Sequence, residues 1–328
     1  MAGSQAGFSL VELMISIAIF LVISGTVTQA LLQLTRSQST IWNRTQMHAG
    51  VRSATELLQQ EVGQAGRISL PYTTTLSGAA AVGAQTVGVN QVINAATVAS
   101  VSGIFVGEQL TIDAGEDAAG NEAQETVAVT AVNTTGHTIS AVFTIAHAAG
   151  TPVMVLGGFA NGVVPLAPGF TNGSSPTVLK LYGDINGDGN MVYVEYTCDT
   201  ALGMLYRNVM PFDQVAAKAA PTSSQILLGN IQRNPDGTGC FTYEPSPLPV
   251  VNVVFNGVST PTTFVLDVAI TLTVKTQMKD PITNLFQNET KALLNVSPRN
   301  VFNVWQLASA GIFNRVQQMP STVTNLLH

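Results

Sequence analysis

Oxygen-bearing side chains occur at metal-like spacing in one stretch of the chain. Asp184, Asn186, Asp188 and Asn190 alternate through DINGDGN, Gly189 sits among them, and Glu195 is the twelfth position counted from Asp184. That is the spacing of a twelve-residue calcium loop, in which a hard cation takes several oxygens and a glycine permits the sharp turn. The flanks VLKLY and MVYVEY read as strands, not helices. An extended 191–196 would carry Glu195 away from the loop, so Asp184, Asn186 and Asp188 are the stronger candidate ligands for a structural calcium. The competing reading is an Asx-rich hairpin turn, for which N-G and D-G are strong signals.

A second carboxylate stands alone. Glu12 is the single charge in the 27 residues of FSLVELMISIAIFLVISGTVTQALLQL, positions 8–34. A run of that length can span a bilayer. A charged group inside it costs at least about 2.5–3.5 kcal/mol and usually has a partner. A cut between Gly7 and Phe8 would give Phe8 a new α-amine one helical turn from Glu12. Glu12 could then pair with that amine or with the amine of a neighbouring copy; otherwise it snorkels to the interface.

Other chemistry is sparse. His137 and His147 lie ten residues apart with no cysteine or further histidine near them, which favours packing or turn roles over a metal site. Cys198 and Cys240 are either one staple formed in an oxidising compartment or two buried thiols. G-x-S-x-G, HExxH, C-x-x-C, P-loop and dinucleotide-binding patterns are missing, and the four histidines do not cluster, so an enzyme is not expected. With 13 Lys+Arg against 19 Asp+Glu and a net charge of −6, the chain has no basic excess to neutralise phosphates, which excludes an ordinary nucleic-acid binder. Charged residues at 10% and hydrophobic ones at 46% exclude disorder.

The elements that must position these groups follow from patterning. After the apolar run, 35–63 is polar with Ile41, Val51, Ala54, Leu57, Leu58 and Val62 at helical spacing, no proline precedes Pro71, and Gly63 and Gly66 supply a stop. One helix over 8–63 would be about 84 Å long. Its transmembrane half is 8–34 and its amphipathic half is 35–66. Between Ile68 and Leu179 there is no Lys or Arg, only the acids Glu108, Asp113, Glu116, Asp117, Glu122 and Glu125, while the remaining acids and bases balance. Within it, 77–157 reads as short strands with Gly and Asn turns, AQTVGVNQV, GEQLTID, ETVAVTAVN, HTISAVF and PVMVLG, and is expected to be an inserted all-β module. Residues 158–328 form a β-rich head, with a terminal helix over part of 301–328 docking on the head or on a neighbour.

GFSLVELMISIAIF resembles the prepilin cleavage and methylation signature of type IV pilins and type II secretion pseudopilins. Gly7 matches the residue before the cut, Phe8 the residue after it, and Glu12 the fifth mature position. The resemblance implies a leader over 1–7, cutting by a prepilin peptidase, N-methylation of Phe8 and subunit–subunit pairing through Glu12. It also implies an α+β, pilin-like fold: a long N-terminal helix packed on an antiparallel β-sheet head. One departure is that MAGSQAG holds no Lys or Arg, whereas Arg36 and Arg44 follow the run, an order the positive-inside rule disfavours. Either targeting overrides that rule or the start lies upstream of Met1. The order of the GDG turn, VEYT…LYR, LLGNI and SPRNV resembles PilW-type minor pilins and J-type minor pseudopilins. In those heads a disulfide closes a loop, and Cys198 and Cys240 are an equivalent pair. The implied partners are the peptidase, other major and minor pilins or pseudopilins, the inner-membrane assembly platform, and the membrane itself before assembly. The implied site of action is the inner membrane and then a periplasmic or extracellular filament serving motility, adhesion, DNA uptake or secretion. The alternative function is a calcium-dependent surface adhesin displayed on a pilin-type anchor.

Overall fold

The computed structural model describes residues 9–113, 124–166, 172–212, 218–255 and 257–327. Gly7, Phe8, Glu116, Asp117 and Glu122 lie outside the described residues. The chain has the α+β layout of a long N-terminal apolar helix followed by a β-rich head. Helix α1 (Leu10–Gln64) is unbroken for 55 residues, about 82 Å. It continues through Gly25, and the hydroxyls of Thr26 and Thr28 donate to carbonyls three and four residues back without breaking it. It stops at Gly66, whose φ of +78° a side chain would resist and where an added Cβ would lie 2.9 Å from Phe159 O. Helix α2 (Arg299–Ser309) then caps α1: the Asn300 side-chain amide donates to the Gln64 carbonyl, which also accepts from Arg67 N.

Past α1 the acidic region forms eight strands: β1 (Thr74–Leu76), β2 (Gly83–Ile93), β3 (Ala96–Ala99), β4 (Gln109–Ile112), β5 (Glu125–Ala128), β6 (Ala131–Asn133), β7 (Thr138–Phe143) and β8 (Pro152–Val155). They are hydrogen-bonded in the order β5-β4-β8-β1-β2-β7-β6, with β3 as a hairpin arm on β2. β5 and β6 are joined by only two residues, and both continue their neighbours' ladders: Val129 N donates to Glu108 O, and Thr130 N to Ser140 O. They therefore act as one bent strand that closes the path into an antiparallel barrel. Alternation fills it, with Val87, Val89, Leu110, Ile112, Val127, Val129, Ile139 and Phe143 inside.

Glu108 shares the inward parity of Leu110 and Ile112 and is fully buried. One carboxyl oxygen accepts from Phe105 N, and the other has no partner among the described residues. Burial pushes its pKa well above the ordinary 4.5, which the Phe105 N–H opposes only in part. The folded chain thus keeps the proton while the unfolded chain loses it, so stability is full below the unfolded pKa and is lost as pH rises toward the folded one. Glu108→Gln removes that slope. Its unfolding free energy should match the parent's near pH 4 and exceed it increasingly above, by roughly 1.4 kcal/mol per pH unit until the folded pKa is reached; parallel stability–pH curves for the two chains would refute this. At Glu125 burial also acts upward, but hydrogen bonds from the hydroxyl and N–H of Thr144, from His147 and from Ile145 N–H outweigh it and hold the carboxyl below its usual range. His147 Nε2 lies 2.7 Å from Glu125, whereas His137 sits at a turn with φ +52°, its carbonyl accepting from Val89 N. The structure does not bring the two histidines together.

The head follows. One antiparallel sheet has the order β10 (Val178–Gly183), β11 (Val192–Asp199), β12 (Met204–Pro211) and β13 (Ile226–Gly229), with β9 (Gly158–Phe159) preceding it in the chain. A second is centred on β18 (Asp267–Lys275), which pairs with β14 (Ile231–Gln232), β15 (Phe241–Glu244) and β19 (Asn288–Val296). β16 (Val250–Phe255) and β17 (Val258–Thr263) form a separate hairpin, and β20 (Val316–Gln317) runs parallel to β9. The C-terminal half of α1 joins both sheets in one core through Val51, Ala54, Leu58 and Val62. α2 buries Val301, Val304 and Ala308 on the head, so the tail docks on its own chain; α3 (Ser321–Leu326) follows it.

Candidate functional site: an anchor helix seated on the head

The first half of α1 leaves the head bare. Its most apolar 18-residue window has a mean hydropathy of 2.3, and none of that window is buried. Leu10, Phe20 and Val22 are each more than 65% exposed, which is unfavourable in water and natural in lipid or in a bundle of like helices. The polar groups on this half are satisfied within the helix: Ser16 donates to Glu12 O, and Thr35 to Leu31 O. Glu12 lies in the first turn, where a carboxylate is favoured by the helix dipole.

The second half is held by charge as well as by packing. Glu61 is 3% exposed on the core face, between Leu58 and Val62. The Arg207 guanidinium donates to it through Nε and Nη2, and the Tyr196 hydroxyl donates to its second oxygen. Burial, and next the Glu61 carboxylate, push the Tyr196 phenol far above its ordinary range; Glu61 raises the Arg207 pKa against burial. Three elements meet at this ion pair: α1, β11 and β12. Pattern reading missed it because an acid at a helix core position looks like noise. The available signal was an acid among Leu58 and Val62 with an arginine in a facing strand.

Above the helix, the 184–190 turn folds back on the chain that leaves α1. Asp184 accepts from Ser69 Oγ at 2.5 Å and from Asp188 N at 3.0 Å, with Arg67 Nε 3.4 Å away. Asp188 accepts from Asn190 N, and Asn186 is exposed. Gly187 and Gly189 both have positive φ, and a Cβ at Gly189 would meet Pro71 Cα at 2.3 Å. Glu195 is not brought to this turn. It pairs in register with Lys180, three positions along the hairpin from Gly183↔Val192, and its carboxylate accepts from Tyr193 Oη and Lys218 Nζ. The cause is the pairing of β11 with β10, which fixes Glu195 along the hairpin beside Lys180. Among the described residues, no three His, Cys, Asp or Glu side chains converge as a metal site. Cys198 and Cys240 are disulfide-bonded across 42 residues, with Cα atoms 6.4 Å apart.

Residues 3–28 match the family model of the prokaryotic N-terminal methylation motif. No curated protein and no solved structure matches the chain. The motif is the type IV pilin-type signal, and it covers Gly7, Phe8 and Glu12 together with the bare part of α1 as far as Thr28. A signal of this type implies, in general terms, a prepilin peptidase and other pilins as partners, membrane anchoring and a pilin-type filament. The geometry fits that use: a rod whose exposed half is apolar but for Glu12 and a few small or amide polar groups, and whose other half is locked to a folded head.

Proposed function

We propose that this chain is a minor pilin or pseudopilin: a structural subunit cut after Gly7, methylated on Phe8, and built into a type IV pilus or type II secretion pseudopilus, where it primes assembly or sits at the tip. The observation that carries this reading is the coincidence of the methylation motif with a helical half that the chain's own head leaves uncovered. Copies of that half, side by side, bury each other's apolar faces on leaving the membrane. Glu12 then finds its cation in the methylated amine of a neighbour, which offsets the cost of carrying a carboxylate into an apolar bundle. The tip or priming role is supported by the bulk above α1: a closed barrel added to a two-sheet head widens one end of the subunit, which suits a cap better than a repeating shaft.

Mass spectrometry of the N-terminal peptide, from protein made in its own cells, tests the reading. The expected result is a mature chain that begins at N-methylated Phe8, and Gly7→Glu should abolish it and leave the precursor in the membrane. An unprocessed chain in wild-type cells would defeat the proposal.

A further inference from the structure

α1 is a ruler along which the head can be placed. Asn295 and Ser297 lie beside Gly63 and Gln64. Glu289 pairs with His48, Gln287 accepts from Arg44 Nε, and Asp280 accepts from Thr40 Oγ1 at 3.0 Å. The β18–β19 hairpin therefore descends α1 toward its N-terminus, and the 276–287 turn is its lowest point. That turn is fixed in place. Asp280 accepts from the N–H groups of Ile282 and Thr283 and from Gln287 Nε2, as well as from Thr40.

The turn shows solvent an apolar tip with a cationic rim. Ile282 and Leu285 are 68% and 67% exposed, and Met278 and Phe286 are also exposed. The ammonium groups of Lys275 and Lys279 stand 5.0 and 5.8 Å from the Phe286 ring centroid. Arg36 and Arg44 of α1 and Lys275 and Lys279 of the hairpin lie around this turn, against Asp280 and Glu289, on a chain whose net charge is −6. Asp280 is consumed by the turn and Glu289 by His48. The apolar run ends at Leu34, six residues or about 9 Å below Thr40. The headgroup layer is roughly 5–8 Å deep on each side of a bilayer. The outer edge of that layer thus lies about 1–4 Å below Thr40, within reach of long side chains that project from the lowest point of the turn.

We infer that the 276–287 turn is a membrane-surface contact: Met278, Ile282, Leu285 and Phe286 enter the headgroup boundary of an anionic bilayer, and Lys275 and Lys279 bind its phosphates. Apolar tips with snorkelling lysines are the chemistry of interfacial anchoring. Exposed Trp42, at the same level of α1, belongs to the same belt. The contact would fix the tilt of the head over the membrane while the subunit waits for assembly. This inference rests on the reading that α1 spans the membrane.

The test uses the full chain reconstituted in phosphatidylcholine vesicles containing phosphatidylglycerol. A polarity-sensitive dye is placed singly at Ile282→Cys, at Val22→Cys in the span, and at Val142→Cys on the barrel, and each is challenged with nitroxide-labelled lipid. Quenching at positions 282 and 22 but not at 142 is expected. Lys275→Gln and Lys279→Gln should each weaken the contact at 282 roughly fivefold. Quenching at 22 alone would overturn the contact and leave the anchor intact. Quenching at neither would show that the anchor reading itself is wrong. Shielding of position 282 that is independent of lipid and accompanied by cross-linking to a second copy would assign the turn to a protein interface and overturn the inference.

Discussion

Glu61→Ala should lower the unfolding free energy by about 3–5 kcal/mol, the range seen when one partner of a buried pair is removed. Glu61 is the only carboxylate that the Arg207 guanidinium and the Tyr196 hydroxyl share among their described partners, and both donors are largely enclosed. Without it, a cation whose side chain is 27% exposed loses its counter-charge, and a buried phenol loses its acceptor. Residual exposure of Arg207 argues for the lower end of the range. Glu61→Gln keeps an acceptor for Tyr196 and should cost less. Arg207→Leu combined with Glu61→Leu should recover much of the loss, because two apolar side chains leave no orphaned charge. Denaturant unfolding in detergent, followed by near-UV circular dichroism, measures all three. A loss below 1 kcal/mol for Glu61→Ala would mean that water already screens the pair and that packing alone seats α1. The functional consequence is mechanical. Pull on the apolar half of α1 reaches the head through this pair and the Val51, Leu58 and Val62 seam.

The parts of this architecture that are local in sequence were legible. α1 could be read because its causes are local: unbroken apolarity, then helical spacing, with no proline before Pro71 and a glycine stop at Gly66. The segment between Ile68 and Leu179 announced itself by its missing bases, and its strands by alternation. Closure of the barrel was not legible. It depends on Val129 and Thr130 feeding two ladders at once, and each of their partners lies more than nine residues away. The 184–190 turn shows how far spacing can carry a ligand set. Asp184 and Asp188 do fold around one another, but Glu195 answers to strand register and faces Lys180. The twelfth position of a loop motif is meaningful only if a helix follows the loop, and here a strand does. Asp280, Arg207 and Glu61 were invisible for a common reason: each acts on a partner more than 100 residues away, and no local pattern encodes that.

Cys198→Ala with Cys240→Ala should cost about 4 kcal/mol, on the chain-entropy account of a cross-link that closes 42 residues. Cys198 lies on β11 in the sheet that carries Arg207, and Cys240 directly precedes β15 in the sheet built on β18. The bridge therefore ties the two halves of the head across the core that receives α1. Both residues are at most 4% exposed, so a reductant must wait for an opening of the head. This makes a second, kinetic expectation. Thiol trapping of the folded chain under reductant should proceed no faster than the head opens, and should quicken in Glu61→Ala, which loosens the same core. Alanine is the cleaner replacement, since serine would bury two hydroxyls. Thermal unfolding of the double variant, beside the oxidised parent, checks the magnitude. A change within 1 kcal/mol would place the effect in a compact unfolded state that the bridge barely restricts. The two losses should also not add. Glu61 and the bridge both act on the β11 strand, so the triple variant should fall short of the sum by 0.5 kcal/mol or more, roughly the coupling seen between residues that share a network.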